Sequence, residues 1–330
     1  MGSEELVLSN FELACVSIAL VDVDGVTRLD NRPSVMCYAA SIIKLAVAVA
    51  VLRELDRGTL SPDDLLMFDG GFVSGLDGSR FVIDDDSSDR ELFLSDENAE
   101  SSELCEGDEL NRSGAFGEAG EVFPSHWVRR DSVAARGIGV AAGVSVAQVS
   151  VARALRRSIT VSSNEGANLL MQAVGLESIN WVLLEAGCDN SVVERMLFDS
   201  PARDAGRTNR LTAIDAAQLM WNIRFGTIAS DDSLSYLCEV LRNQTQRSMI
   251  AFALGEAIER GEVVVGNKEG QTFDVLHDVA FVEPDDTDPF VLVVCTSGLS
   301  EENAIDTVRR VAMYAYDNRF SWKSLAENFR

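Results

Sequence analysis

The spacing of apolar positions changes along this chain, and the changes mark its elements. From Glu12 to Leu20 valine, isoleucine and alanine alternate loosely, which predicts a strand. Asp22-Val23-Asp24-Gly25 is a hairpin signal, and Val26 to Asp30 returns as a second strand. From Ser41 to Arg57 apolar residues run almost without a break to Gly58, which predicts a long buried helix. Thr59-Leu60-Ser61-Pro62 turns the chain, and Ser61-Pro62-Asp63-Asp64 reads as the start of another short helix. Helical patterns then occupy Val146 to Ser158, Glu165 to Val174, Glu177 to Ala186, Thr212 to Phe225, Ser233 to Arg242 and Ser248 to Gly255. Strands return over Val263 to Asn267, Val275 to Glu283 and Phe290 to Thr296, and Glu301 to Asp317 closes as a helix.

Strands at both ends with helices between them predict a mixed α/β (α+β) fold, with one sheet built from both chain termini. On this reading residues 1–60 and 215–330 form the α/β sheet domain. Residues 61–214 form an all-helical domain, with an acidic insertion at about 80–135. Between Asp84 and Glu121 there are 14 acidic residues against Arg90 and Arg112, about half of the net charge of −25. Poor periodicity there predicts an inserted, partly mobile surface loop, either a solvated insertion or a cover for a site.

The negative charge argues against nucleic acid and anionic membrane surfaces as partners. No apolar run reaches the roughly 18 residues expected of a membrane span. The N-terminus has neither a basic segment nor an apolar one, so the chain is expected to be cytoplasmic or to begin after a removed signal. Six cysteines without CxxC or Cys/His spacing read as mostly buried small apolar residues. With only His126 and His277, a Ser-His-Asp triad is poorly supplied and a histidine-rich metal site is nearly excluded.

Only three cations are lysine, against 25 arginines, and two of them stand in short polar motifs. A base or proton shuttle must be Lys, because Arg stays protonated while a buried Lys can lose its proton near neutral pH. Ser41 and Lys44 are three residues apart, on one face of the expected helix. A neutral Lys44 would take the Ser41 proton and so activate a weak nucleophile. Alone, the pair reads equally as a helix-terminal serine and a lysine snorkelling from an apolar helix. Ser162 and Asn164 sit in a polar turn between two helices, where Ser163 or Asn164 also suits an N-cap. Lys268-Glu269-Gly270 ends a strand, where Gly270 admits a close approach to the backbone; a polar hairpin would look the same.

Together, in this order and on these elements, the motifs resemble the S-x-x-K, S-D-N and K-T-G set of the serine β-lactamase and penicillin-binding protein superfamily. The closest likeness is to class A β-lactamases and related serine hydrolases. It extends to Asn209-Arg210-Leu211-Thr212-Ala213-Ile214-Asp215 and His277-Asp278-Val279, and covers most of the chain except about residues 70 to 140. The resemblance implies a β-lactamase-like fold and a small-molecule substrate: a β-lactam, a peptide or an ester. It implies no metal or organic cofactor. It makes Ser41 the acylated nucleophile and Lys44 its base. Ser162 would be the proton shuttle to the leaving nitrogen, Asn164 a ligand of the substrate amide, and Lys268 the holder of Ser162 and of the substrate's anionic group. Glu269, Gly270 and Gln271 would line the substrate, with the Ser41 and Gln271 N–H groups as an oxyanion hole. His277 is expected to be structural.

Three positions depart from the pattern. Ser163 replaces the Asp of S-D-N. Glu269 replaces the Thr of K-T-G and would repel a substrate carboxylate unless protonated, turned away or paired with Lys268. Aligning Arg195 with the family's Arg-x-Glu-x-x-Leu-Asn puts Leu197 where class A enzymes carry the water-activating Glu. These residues fit a serine hydrolase acting on β-lactams or related amides and esters. They also fit a D,D-peptidase or esterase with slow β-lactam turnover, and a non-catalytic binding or sensor domain that kept the fold.

Overall fold

A computed structural model describes residues 8–83, 92, 115–116, 122–127 and 147–321. Five strands form one antiparallel sheet: β1 (Val16–Asp22), β2 (Thr27–Asn31), β3 (Val263–Gln271), β4 (Val275–Pro284) and β5 (Phe290–Ser297). Their order is β3-β4-β5-β1-β2, so both ends of the chain meet at the β5–β1 pair, as expected. Every residue of β1 is buried, because it is an interior strand covered on both faces. The tight β1–β2 turn is closed by Asp22, whose Oδ1 accepts from the N–H groups of Asp24 and Val26, each at 2.9 Å.

The sheet separates two cores, and strand alternation assigns residues to each. Ala19, Val21, Val279, Phe281, Val291 and Val293 face a helical layer. That layer contains α1 (Lys44–Asp56), α2 (Val151–Thr160), α3 (Asn164–Glu185), α4 (Ala213–Phe225) and α5 (Asp231–Arg242). Ile18, Leu20, Ala280, Val282, Leu292 and Val294 face the other way, onto α6 (Glu301–Asp317). Lys44 to Leu52 are buried without exception, as befits a helix that is apolar all round and packed on every side.

Local side-chain chemistry overrides the expected pattern in several places. Asn10–Cys15 is a short helix rather than the start of β1. Ser9 Oγ accepts from Glu12 N–H and the Glu12 carboxylate accepts from Ser9 N–H at 2.7 Å, a reciprocal cap that outweighs the β-prone composition. Ser61 to Asp64 is a turn, not a helix, with the Asp64 carboxylate accepting from Ser61 N–H; Leu65–Phe68 follows as a strand. Ala147–Ser150 pairs with that strand, so α2 starts only at Val151, capped by Ser150. The two helices expected on either side of Val174 are joined across a kink at Gly175, whose φ of 79° suits glycine.

Of the acidic insertion at about 80–135, residues 80–83, 92, 115–116 and 122–127 are described and the rest lies outside the described residues. Among the described residues, no helix is long and apolar enough to cross a membrane.

Candidate functional site

Ser41 lies in a tight 3-10 turn, Ala40–Ile43, that runs directly into α1. This places Ser41 one turn ahead of the α-helix rather than inside its first turn. Ala40, just before it, takes a left-handed φ of 45°. Ser162, with φ of 59°, turns the chain between α2 and α3, and Phe198, with φ of 60°, sits across the cavity. Left-handed residues other than glycine cost about 1–3 kcal/mol each and concentrate where side chains must be aimed. Three of the four in the described residues adjoin this site.

The turn at Ser162 brings the two lysines to one oxygen. Lys44 Nζ is 3.1 Å from Ser162 Oγ, and it also donates to Ser162 O and, at 2.8 Å, to Asn164 Oδ1. Lys268 Nζ donates to Ser162 Oγ at 3.0 Å and to Glu269 O at 2.7 Å. Both lysines are wholly buried. Burial outweighs the nearby Glu269 and Asp278 charges and pulls Lys268 down to about 7. Ser163 is the N-cap of α3, accepting from Gly166 N–H at 2.9 Å, so the position that departs from S-D-N serves the helix.

Lys268 lies within β3, which runs four residues beyond the expected strand end. Alternation therefore sends Lys268 toward Ser162 and Glu269 to the opposite face. There the Glu269 carboxylate accepts from Ser248 N–H and Oγ (2.5 and 2.9 Å) and from Met249 N–H at 3.1 Å. Its side chain does not line the cavity above Ser41, contrary to the expectation that it would line the substrate. Asp278 is its direct cross-strand partner and is fully buried, accepting from Ile250 N–H and Asn267 Nδ2. Burial first, and Glu269 second, push Asp278 up to about 7.

Gly270 brings the strand against the Ser41 turn. A Cβ there would lie 3.0 Å from Ile42 Cγ1 and 3.1 Å from Ser41 N. A cavity of about 390 Å³ opens above, lined by Ser41, Asn164 and Gln271 and walled by Tyr38, Arg195 and Leu197. Of the expected residues, Ser41, Asn164 and Gln271 face this space. Lys44, Ser162, Lys268 and Gly270 form the layer beneath it.

Leu197 is held in that wall by Asn168, a residue the sequence reading did not single out. Asn168 Oδ1 accepts from Leu197 N–H at 2.9 Å and its Nδ2 donates to Leu197 O at 2.8 Å. Asn168 is four residues after Asn164 on α3, hence on the same face, and that spacing is the signal for it.

His277 is buried beneath the turn. Its Nε2 donates to Tyr38 O at 2.9 Å and its Nδ1 accepts from Thr296 N–H at 3.3 Å, which fixes the strand leading to Ser41. Donor atoms of Cys37, His277 and Cys295 lie within 4.8 Å of one another, a proximity their sequence spacing does not reveal. Both imidazole nitrogens are already engaged by backbone groups, so the donor set does not suit a metal ion. His126 Nε2 faces both Asp56 Oδ1 (2.9 Å) and Ser230 Oγ (3.4 Å). Its Nδ1 lies 3.8 Å from the exposed Asp232 carboxylate, and Ser230 is the N-cap of α5, so the cluster belongs to that helix terminus and does not line the Ser41 cavity.

Comparison with known proteins bears on the family and the fold. The family model described as beta-lactamase enzyme family matches residues 5–80 and 128–318. A search of the curated proteins returns no match. Among solved structures, the β-lactamase from Sphaerobacter thermophilus DSM 20745 is similar at 19% identity and a TM-score of 0.62, covering 91% of this chain and 89% of that one. PBP-A is similar at 17% identity and a TM-score of 0.62, covering 93% and 90%. A β-lactamase from Xanthomonas campestris pv. campestris is similar at 17% identity and a TM-score of 0.61, covering 92% and 91%. At these identities the structures establish a shared fold, and the family match, which spans well over half of the sequence, establishes membership: the chain belongs to the beta-lactamase enzyme family.

Proposed function

We propose that this protein is a serine acyl-hydrolase that forms an acyl-enzyme at Ser41 with a β-lactam or a related amide or ester, and releases the acyl group slowly. The observation that carries the reading is the pair of buried lysines converging on Ser162 Oγ below an accessible Ser41. Two ammonium ions within hydrogen-bond reach of one buried hydroxyl disfavour each other, which supports one lysine being neutral there. A neutral Lys44, directly or through a water, takes the Ser41 proton as Ser41 attacks the substrate carbonyl. Ser162 passes a proton to the leaving nitrogen while Lys268 orients it. Asn164 binds the substrate amide. The N–H groups of Ser41 and Gln271 receive the negative oxygen of the tetrahedral intermediate, and the close approach at Gly270 supports that placement.

Slow release is supported by Leu197. An alkyl side chain accepts no proton, so it cannot activate the water that must attack the ester. This favours a D,D-peptidase-like or esterase-like enzyme with slow β-lactam turnover over an efficient β-lactamase. Among the similar structures, a PBP-A variant is an acyl-enzyme complex with penicillin G, which makes that compound a suitable probe. Incubation with penicillin G followed by proteolysis and peptide mass analysis tests the reading. The expected result is an adduct on the peptide containing Ser41; an adduct elsewhere, or none with penicillin G or with any activated ester, rejects it.

A further inference from the structure

Cys37 stands shortly before Ser41, on the short strand Cys37–Tyr38 that pairs with Arg210–Leu211. Cys295 lies on β5, directly across from His277 on β4, and faces the helical layer. The fold brings the two sulfurs and the His277 ring within 4.8 Å of one another. Both cysteines are free thiols. The acyl-transfer scheme uses neither of them, and the set does not suit a metal ion.

The two thiols are unequal. Cys37 is partly exposed while Cys295 is buried, so a solute meets Cys37 first. The Cys295 S–H donates to the Cys37 sulfur and holds that thiol well below the usual range; burial opposes this and the adjacent His277 adds to it. The same bond, together with burial, holds Cys295 above the usual range. A thiolate is the nucleophile toward an oxidant, and a thiol beside it resolves the product. Cys188 and Cys238 have neither advantage, because both are buried and burial raises both thiols.

We propose that Cys37 and Cys295 are an oxidation site for hydroperoxides, closing reversibly to a disulfide that disturbs the Ser41 turn. The Cys37 thiolate attacks the O–O bond of the peroxide. It gains one oxygen as a sulfenic acid, and the other leaves as an alcohol or water once protonated. Cys295 sulfur then attacks Cys37 sulfur. The S–S bond forms, the S–O bond breaks, and the hydroxyl departs as water with the Cys295 proton. Two electrons pass from the sulfur pair to the peroxide. A small thiol reverses the change by exchange.

As a thiol, Cys37 donates to Leu211 O at 3.4 Å. The disulfide ends that bond and ties the segment to β5 instead. Tyr38, the next residue, is held through its carbonyl by His277 Nε2 and lines the Ser41 cavity. Gly270 packs so closely that a Cβ there would lie 3.1 Å from Ser41 N, which leaves the turn little room to shift without misplacing the nucleophile. This coupling rests on the acyl-enzyme reading; the oxidation does not.

The test treats the reduced protein with hydrogen peroxide, blocks the remaining thiols and maps disulfides by peptide mass without reduction. The expected result is one cross-linked pair, Cys37 with Cys295, that dithiothreitol reverses. Cys295→Ser should instead accumulate a Cys37 sulfenic acid that dimedone traps, and Cys37→Ser should leave Cys295 reduced. The wild-type map decides the matter even if a variant fails to fold. Ser41 acylation by penicillin G is then followed by intact mass in both states. Oxidation should slow it at least about tenfold, and dithiothreitol should restore it. Cys37 left free while other cysteines oxidise, or Cys295 oxidised equally in Cys37→Ser, overturns the pair. A disulfide with unchanged acylation overturns the coupling. Failure of the reduced protein to acylate counts against the acyl-enzyme reading alone, and the peptide map still decides the oxidation site.

Discussion

Lys44 and Lys268 converge on one acceptor, standing 3.1 and 3.0 Å from Ser162 Oγ. They come from opposite ends of the chain, one from the first long helix and one from an edge strand of the sheet. A hydroxyl can accept from one lysine while donating to the other, provided the second is neutral. Lys44→Arg abolishes that arrangement by fixing a charge at the position of the base, because a guanidinium does not give up its proton. We expect Ser41 acylation to fall by about 10²-fold or more, the scale of a lost general base. Stopped-flow measurement of the acylation rate checks this, and a variant that acylates at the wild-type rate would remove Lys44 as the base.

Leu197→Glu places a carboxylate in the cavity wall at the point that Asn168 holds in position. The variant is expected to shorten the lifetime of the penicillin adduct by about 10²-fold, since it adds a proton acceptor for water. The decay of adduct mass after removal of free penicillin gives this number directly. An unchanged lifetime would mean that water is limited by something other than Leu197.

Gly270→Ala introduces a Cβ that sits too close to Ser41 N and Ile42 for ordinary van der Waals contact. Overpacking of this kind costs about 1–3 kcal/mol, and here the displaced groups are those that set the attack geometry. Acylation should fall at least about tenfold while the fold persists, as judged by the melting temperature. Acylation that survives intact would dissociate the strand's approach from catalysis.

Asp278 gives a pH signature. Its carboxyl is pushed from the ordinary 3.8 to about 7 by burial and by Glu269 across the strand pair. Between pH of about 4 and 7 the folded protein therefore holds more protons at this site than the unfolded chain does. Stability from Asp278 must then decline as pH rises through that window. The melting temperature of the wild type minus that of Asp278→Asn should decrease from pH 4 to pH 7. A difference that is flat or rises would show that Asp278 is ionised in the folded protein.

Much of this site is legible in the sequence because its chemistry is tied to local elements. Ser41 and Lys44 share a turn, β3 opens on three valines and β4 is mostly apolar, so order and spacing locate them. Period-two alternation along β3 also carries the orientation of Glu269, but only when the strand is extended through Gln271. The reciprocal cap between Ser9 and Glu12 is likewise written in the sequence, as a serine followed three residues later by glutamate. Other features depend on tertiary closure. The left-handed turn at Ser162 exists because two helices must bring a hydroxyl between two lysines. That Arg195 has no carboxylate partner among the described residues emerges only when each neighbouring acid is seen to have another partner. No spacing rule brings Cys37, His277 and Cys295 together, because they join the segment before Ser41 to two strands near the C-terminus.

The most direct test of the central claim is a time course of intact mass for the wild-type protein with penicillin G, beside Ser41→Ala. The account predicts a mass increase in the wild type that persists long after free penicillin is removed, and none in Ser41→Ala. An equal adduct in Ser41→Ala, or rapid penicillin hydrolysis by wild-type protein with no persisting adduct, would contradict it.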